Sequence, residues 1–416
     1  MGMGSKGFTT TNLHSDRRDK PEHGVLHKAI HPSVAYGYDD ARDLAAVFQG
    51  KQPGYNYGRQ LNPTVTALQN RITAMEEGIA TAAFATGMAA IASTMIALLR
   101  SGDHIVSSAF LFGNTNSFFS TLQNMGIQVS FVDATSADNV ESALQSNTRL
   151  VFVETIANPA TQIADLARIG ELCAHRGLIY CVDNTMTSPH LFKPKTVGAT
   201  LVVNSLTKYI GGHGNALGGA ITDTGLFDWS QFPHIYDAYK GSDTALWGIT
   251  QIKKKGLRDM GASLGPEAAH HLAVGSETLP LRMDKACANA LAIAELCEAH
   301  PAVRRVFYPG LESHAQHSRA ADLFRNFGSI MSIDLIPGVD CFEVLNALQT
   351  VVSSSNLGDT RTLAIPVAHT IFYEMGSERR ASMGISDSMI RFSVGIEDQE
   401  DLLTDFTQAL NKAQAV

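Results

Sequence analysis

Cysteine is sparse in this sequence and never paired. Five residues in 416 (Cys173, Cys181, Cys287, Cys297 and Cys341) are widely spread, odd in number and not set in any CxxC. That usage excludes a disulfide framework and a structural zinc site and points to the cytosol. Positive charge is also thin, with 32 Lys and Arg against 40 Asp and Glu for a net charge of -8. No polybasic run, zinc-finger spacing or RNP-like pattern occurs, so the electrostatic footprint of a nucleic-acid binder is missing. The opening "MGMGSKGFTTTNLHSDRRDK" lacks the apolar stretch of a secretory signal, and Lys6 stands where a myristoylated start needs Ser or Thr. Internal repeats are absent too. One uncharged run, "IATAAFATGMAAIASTMIALL" at 79–99, reaches the length of a membrane span. Thr86-Gly87 divides it into a β-like piece and an Ala-rich helix, and a turn at 100–103 closes it, so it reads as the interior of a large α/β domain.

What is present is enough apolar residue, 44% with 35 glycines, to bury at least one large core. Residues 1–62 are polar and rich in turn formers and read as an arm. Across 63–265 the short apolar runs "HIVSS", "QVSFVD", "LVFVE", "LIYCVD" and "TLVVNS" alternate with helical patterns at 114–125, 137–145 and 165–175, the last stopped by Gly177. Strands alternating with helices at this spacing predict an α/β fold with a mostly parallel sheet flanked by helices. Residues 266–416 begin with a long amphipathic pattern at 266–300. Separated strands ("GSIMSIDL", "MIRFSVG") and a helix at 398–413 follow, predicting a smaller C-terminal α+β domain.

In an open α/β sheet, ligands gather at the carboxyl ends of the strands, so polar residues closing apolar runs are the first candidates. Glu154 ends "LVFVE", Asp183 ends "LIYCVD", and Ser205-Leu206-Thr207-Lys208 follows "TLVVN". An isolated lysine is ordinarily solvated. Between hydroxyls and the glycine-rich "YIGGHGNALGG", however, the Lys208 amine can be desolvated into a neutral nucleophile able to form a Schiff base. Asp183, a carboxylate at a strand end, calls for a cationic partner, and the protonated nitrogen of a pyridine cofactor is one. "ATGMAA" at 85–90 supplies small residues where a strand gives way to a helix, a place for phosphate. Ser205, Thr207, Tyr57 and Arg59 are further phosphate candidates. His270-His271 and His314 with His317 lack the acid and spacing of a zinc site.

Seven stretches together carry a family resemblance: "YGRQLNPT" (57–64), "ATGMAAI" (85–91), "VETIANP" (153–159), "VDNTMTSP" (182–189), "NSLTKYIGGHGNALGG" (204–219), "ETLPLRM" (277–283) and "IRFSVGIED" (390–398). The chain resembles the PLP-dependent enzymes of Cys/Met metabolism, which include cystathionine γ-synthase, cystathionine γ-lyase, methionine γ-lyase and O-acetylhomoserine sulfhydrylase. The resemblance implies fold type I, pyridoxal 5′-phosphate (PLP) as cofactor and Lys208 as its Schiff-base lysine. It further implies that Asp183 pairs with the pyridine nitrogen, that Asn158 lies near the ring hydroxyl, and that Gly87, Met88, Ser205 and Thr207 hold the phosphate. Tyr57 and Arg59 match residues that reach this phosphate from a neighbouring subunit, which implies a homodimer or homotetramer. Arg391, with Asn356 beside it, matches the arginine that clamps a substrate carboxylate, and Thr370 matches a threonine near the substrate.

Three departures bear on activity. Phe112 replaces the tyrosine that stacks on the cofactor and protonates a leaving group. It keeps a stacking face but has no hydroxyl, leaving Tyr57 as a hydroxyl able to supply that proton. Asn114 stands where methionine γ-lyases commonly have cysteine, and Ile371 replaces a histidine in "PVAHTIFYEM". A carboxylate leaving group needs no proton, whereas a thiolate departs better beside an acid. The expected activity is therefore γ-replacement or γ-elimination on an oxygen-activated homoserine. The alternative is a γ-lyase acting on methionine, cystathionine or an oxygen-linked analogue such as canavanine. A PLP-binding non-enzyme does not require Arg391, and an unrelated phosphate binder predicts no yellow colour.

Overall fold

A computed structural model describes residues 6–17 and 22–414; the Met1-Gly2 start lies outside them. Among the described residues, seven strands form the larger sheet: β1 (Ala80–Phe84), β2 (His104–Ser108), β3 (Gln128–Val132), β4 (Thr148–Glu154), β5 (Ile179–Asp183), β6 (Leu201–Asn204) and β7 (Gly219–Asp223). Their order is β1-β7-β6-β5-β4-β2-β3. The pairs from β3 to β6 are parallel, and β7 is antiparallel to both its neighbours. Both faces are covered, which is why the runs are apolar throughout and do not alternate. Along β4, Leu150 and Phe152 enter one core cluster and Val151 and Val153 the other; Ile179 and Cys181 against Tyr180 and Val182 repeat the division on β5.

The uncharged stretch at 79–99 divides at Thr86 into β1 and the helix Gly87–Leu98, whose first turn is capped by Thr86 Oγ1 accepting from the Ala89 amide at 3.0 Å. Among the described residues no helix is long and apolar enough to cross a membrane. The helical patterns at 114–125, 137–145 and 165–175 form Gly113–Asn124, Ala137–Ser142 and Leu166–Arg176, and Gly177 ends the third with φ 62°. The pattern at 266–300 becomes two helices, Pro266–Glu277 and Leu279–Ala299. Pro280 accounts for the break: in a continuous helix its ring would meet the Ser276 carbonyl, whereas in a first turn its missing N–H costs nothing.

The second sheet consists of β8 (Val303–Phe307), β9 (Ile330–Leu335), β10 (Val352–Ser353), β11 (Leu363–Pro366) and β12 (Met389–Ser393) in the order β10-β11-β12-β9-β8. Only its β10–β11 pair, among the described residues, is parallel. The helix Gln399–Gln414 lays Leu402, Phe406 and Leu410 on this sheet. The long helix Leu279–Ala299 joins the two cores, with Met283 and Cys287 in the first and Ile293 and Cys297 in the second. The carboxyl ends of β4, β5 and β6 thus face the same way, toward the second sheet's loops.

Candidate active site

At those strand ends lies a cavity of about 490 Å³. Glu154 and Asp183 are register partners on the parallel strands β4 and β5, so two carboxyl groups sit side by side on its wall. Burial pushes Asp183 up to about 6, partly offset by hydrogen bonds from Thr185, whose amide donates to Asp183 Oδ1 at 2.9 Å. Glu154 is held well above the usual carboxylate range, first by burial and then by the negative charge of Asp183. Its Oε1 accepts from the Phe112 amide at 2.7 Å, tying the start of the helix Gly113–Asn124 to the end of β4.

Lys208 follows β6 in the turn Ser205–Lys208. Its ammonium donates to Asn356 Oδ1 at 2.7 Å, and burial, followed by the nearby charge of Arg391, pulls it down to about 8. Arg391, in the middle of β12 and 1% exposed, reaches the cavity from the opposite side. Its Nη2 donates to the carbonyls of Asn356 at 2.9 Å and Ser355 at 3.3 Å, while its buried Nε has no partner. Burial brings this guanidinium down to about 10. Asn356 therefore touches both cations of the cavity, one through its side chain and one through its carbonyl.

The remaining wall is the start of the helix Gly87–Leu98. The first amides of this helix lie outside its own ladder; Thr86 satisfies that of Ala89, while those of Gly87 and Met88 remain at the cavity wall. A Cβ on Gly87 would stand 2.9 Å from that of Ser205, and one on Gly219 would stand 2.1 Å from the Thr86 carbonyl oxygen, so glycine is required at both for this close approach. The Thr207 hydroxyl accepts from the Gly218 amide at 2.9 Å and pins the loop after Lys208 against the same helix start.

The residue-family match from 9 to 411 to the Cys/Met metabolism PLP-dependent enzymes decides the question of kinship. The chain belongs to that family. It is 37% identical over 411 residues to an L-methionine gamma-lyase of Fusobacterium nucleatum subsp. polymorphum, with 98% of each chain covered. To a homocysteine synthase of Schizosaccharomyces pombe it is 35% identical, covering 99% of this chain and all of the relative. Among solved structures, one from Campylobacter jejuni, assigned as an O-acetylhomoserine (thiol)-lyase and carrying N′-pyridoxyl-lysine-5′-monophosphate, superposes with a TM-score of 0.92 at 30% identity. The match covers 98% of this chain and 100% of that one. The fold is thus that of fold type I PLP enzymes, and the protein is a PLP-dependent enzyme.

The cavity fits this cofactor in its own chemistry. Asn158 is 2% exposed and neither Oδ1 nor Nδ2 has a partner, as expected of an amide awaiting a polar ring substituent. Free helix-start amides and the Ser205 and Thr207 hydroxyls suit a phosphate, and a carboxylate in register with another suits a cationic ring nitrogen.

The cavity gathers Gly87, Met88, Phe112, Asn158, Asp183, Ser205, Thr207, Lys208, Asn356 and Arg391. It does not gather Tyr57, Arg59 or Thr370. Tyr57 is 41% exposed with the Arg59 guanidinium 5.5 Å from its ring centre, and Arg59 donates to the Arg258 carbonyl of its own chain at 2.5 Å. The exposed Thr370 turns its hydroxyl back to the Pro366 carbonyl at 2.7 Å, and its neighbour Ile371 lines the cavity instead. Glu154 stood out in the sequence as a strand-end acid but received no role there; being the register partner of Asp183, it shares the cavity wall. Leu217 and Ile371 both lie in loops; Ile371 stood out in the sequence as a departure from the family pattern, whereas Leu217 carried no signal of its own.

Proposed function

We propose that this enzyme catalyses γ-replacement or γ-elimination on a homoserine-derived amino acid, with Lys208 carrying PLP. The observation that carries this reading is the pairing of an amine lowered to about 8 with a buried guanidinium whose Nε is unpaired, both held by Asn356. An α-amino acid has the two complementary groups, and an arginine fork suits its carboxylate. In this reading Gly87, Met88, Ser205 and Thr207 hold the phosphate, Asn158 meets the ring hydroxyl and Phe112 stacks on the ring. When bound, PLP supplies an electron sink beside the substrate amine.

This chain's residues do the rest. Asp183 keeps the ring nitrogen protonated, and Glu154 stays neutral because two adjacent buried carboxylates do not both ionise. Arg391 and Asn356 orient the substrate so that its Cα–H faces Lys208 Nζ, which takes that proton and moves it onward. Loss of a second proton from Cβ expels the γ-substituent. Phe112 offers no acid to that group, which favours a leaving carboxylate over a thiolate. The unsaturated four-carbon fragment left behind is hydrolysed by water to 2-oxobutanoate and ammonia, or adds a thiol at Cγ to give the replacement product.

Tyr57 and Arg59, exposed and outside the cavity of their own chain, are proposed to serve the phosphate of a second copy, Tyr57 also as a proton donor. Residues 1–62 then form an intersubunit arm, with 63–265 as the cofactor domain and 266–416 as the smaller domain. The five cysteines, all free and buried, support a cytosolic location.

The test is product analysis of PLP-loaded protein given O-acetylhomoserine, O-succinylhomoserine, methionine, cystathionine or canavanine, with and without sulfide or cysteine. Homocysteine or cystathionine formed from an acylhomoserine and a thiol is expected. Turnover of methionine, cystathionine or canavanine alone, with no reaction of either ester, would establish the γ-lyase alternative instead.

A further inference from the structure

Among the described residues, four charged side chains line the cavity: Glu154, Asp183, Lys208 and Arg391. Both cations are committed in the reading above, Lys208 to the cofactor and the Cα proton and Arg391 to the α-carboxylate. The rest of the wall available to a substrate side chain is neutral: Phe112, Leu217, Leu357 and Ile371 are apolar, and Asn114 and Ser355 carry no charge. Nearby guanidinium groups are engaged elsewhere. Arg282 donates to the carbonyls of Tyr209, Ile210 and Gly275, and Arg361 pairs with Asp359. Arg59, the arm cation assigned to a second copy's site, is matched to the phosphate.

A second substrate carboxylate would therefore leave water for a wall to which this chain's described residues bring no free cation, in a cavity that already holds two carboxyl groups and receives a phosphate. Such a group loses hydration with nothing to offset the loss. We propose that the site prefers amino acids whose γ-substituent carries no carboxylate, such as an acetyl ester or a methylthio group. It discriminates against those with a second carboxylate, such as a succinyl ester or the distal end of cystathionine. The proposal rests on the assignment of Arg391 to the α-carboxylate made in the preceding subsection.

The deciding experiment compares two L-amino acids that carry no leaving group and differ only at the far end, norleucine with a methyl and 2-aminoadipate with a carboxylate. Binding to the PLP-loaded protein is followed by the change in visible absorbance. Norleucine is expected to bind about tenfold more tightly or better, the size of one unpaired charge at a partly desolvated site; any smaller preference overturns the proposal. Ile371→Arg, which places a cation on the neutral wall, is expected to narrow or reverse the ratio. An unchanged ratio with an intact cofactor spectrum would sink the charge explanation. The comparison needs no turnover, so failure of both homoserine esters to react removes the γ-chemistry while the charge question is still decided. Conversely, O-succinylhomoserine turned over as fast as the acetyl ester overturns this proposal and leaves the γ-chemistry standing.

Discussion

The two sides of the cavity are built differently. On the large-sheet side, parallel strands end together, so Glu154, Asp183 and the turn bearing Lys208 converge because the sheet is parallel. On the small-sheet side, antiparallel strands do not gather their ends, and one residue, Arg391, projects from the middle of β12 while loops provide the rest. Chemistry that needs several titrating groups close together is therefore placed on the parallel side. The other side brings one fixed charge, which the proposed reading gives to substrate recognition.

The sharpest break of this contrast is Lys208→Ala. It should lower kcat roughly 10⁴-fold or more and abolish the visible absorbance of lysine-bound PLP, because nucleophile and base disappear together. On the opposite side, Arg391→Leu should raise KM for the amino acid with little change in cofactor absorbance. The loss in kcat/KM is expected to be about 10²- to 10³-fold, the range for truncating one partner of a buried charge pair. A KM left unchanged would remove Arg391 from substrate recognition.

A smaller effect is expected behind the strand ends, at Glu76. This fully buried carboxyl accepts from the side-chain amides of Asn184 at 3.0 Å and Asn204 at 2.6 Å, and burial pushes it up to about 7. An acid whose pKa is raised by folding stabilises the fold while protonated. Its contribution is full below the unfolded value near 4.5 and is lost as the pH rises through about 7. Glu76→Gln keeps the accepting oxygen and should flatten this dependence, making the apoprotein about 2–3 kcal/mol more stable than wild type at pH 8 and little different at pH 4.5, by urea unfolding. Last, Thr370→Ala should change kcat/KM less than about twofold, since its exposed hydroxyl bonds only the Pro366 carbonyl. A tenfold loss would return it to the substrate.

The same contrast governs what could be read before folding. The central strands were legible because each is a short apolar run closed by a polar residue: Glu154, Asp183 and Asn204 are those closures, and Lys208 lies in the turn that follows the last. β7, written "GAITD", went unmarked because glycine opens it and an acid closes it. The break at Thr278 was hidden because the amphipathic pattern runs through Pro280 without a change of polarity. On the small-sheet side, motif resemblance alone singled out Asn356, Thr370 and Arg391. It did not separate Thr370 from Ile371, because which neighbour faces the cavity is set by the turn at 367–370 rather than by residue type.

Asn356 holds the amine of Lys208 with its side chain and the guanidinium of Arg391 with its backbone, so the span between the two anchor points is set by one residue. In the proposed reading the carboxylate is held at Arg391, the amine at the cofactor and the Cα proton toward Lys208, which leaves the side chain the neutral wall. Interchanging any two substituents on that carbon breaks one of these attachments. On that reading the site selects the handedness of its substrate, and the asparagine on the loop after β10 is the gauge that sets the distance between base and carboxylate anchor.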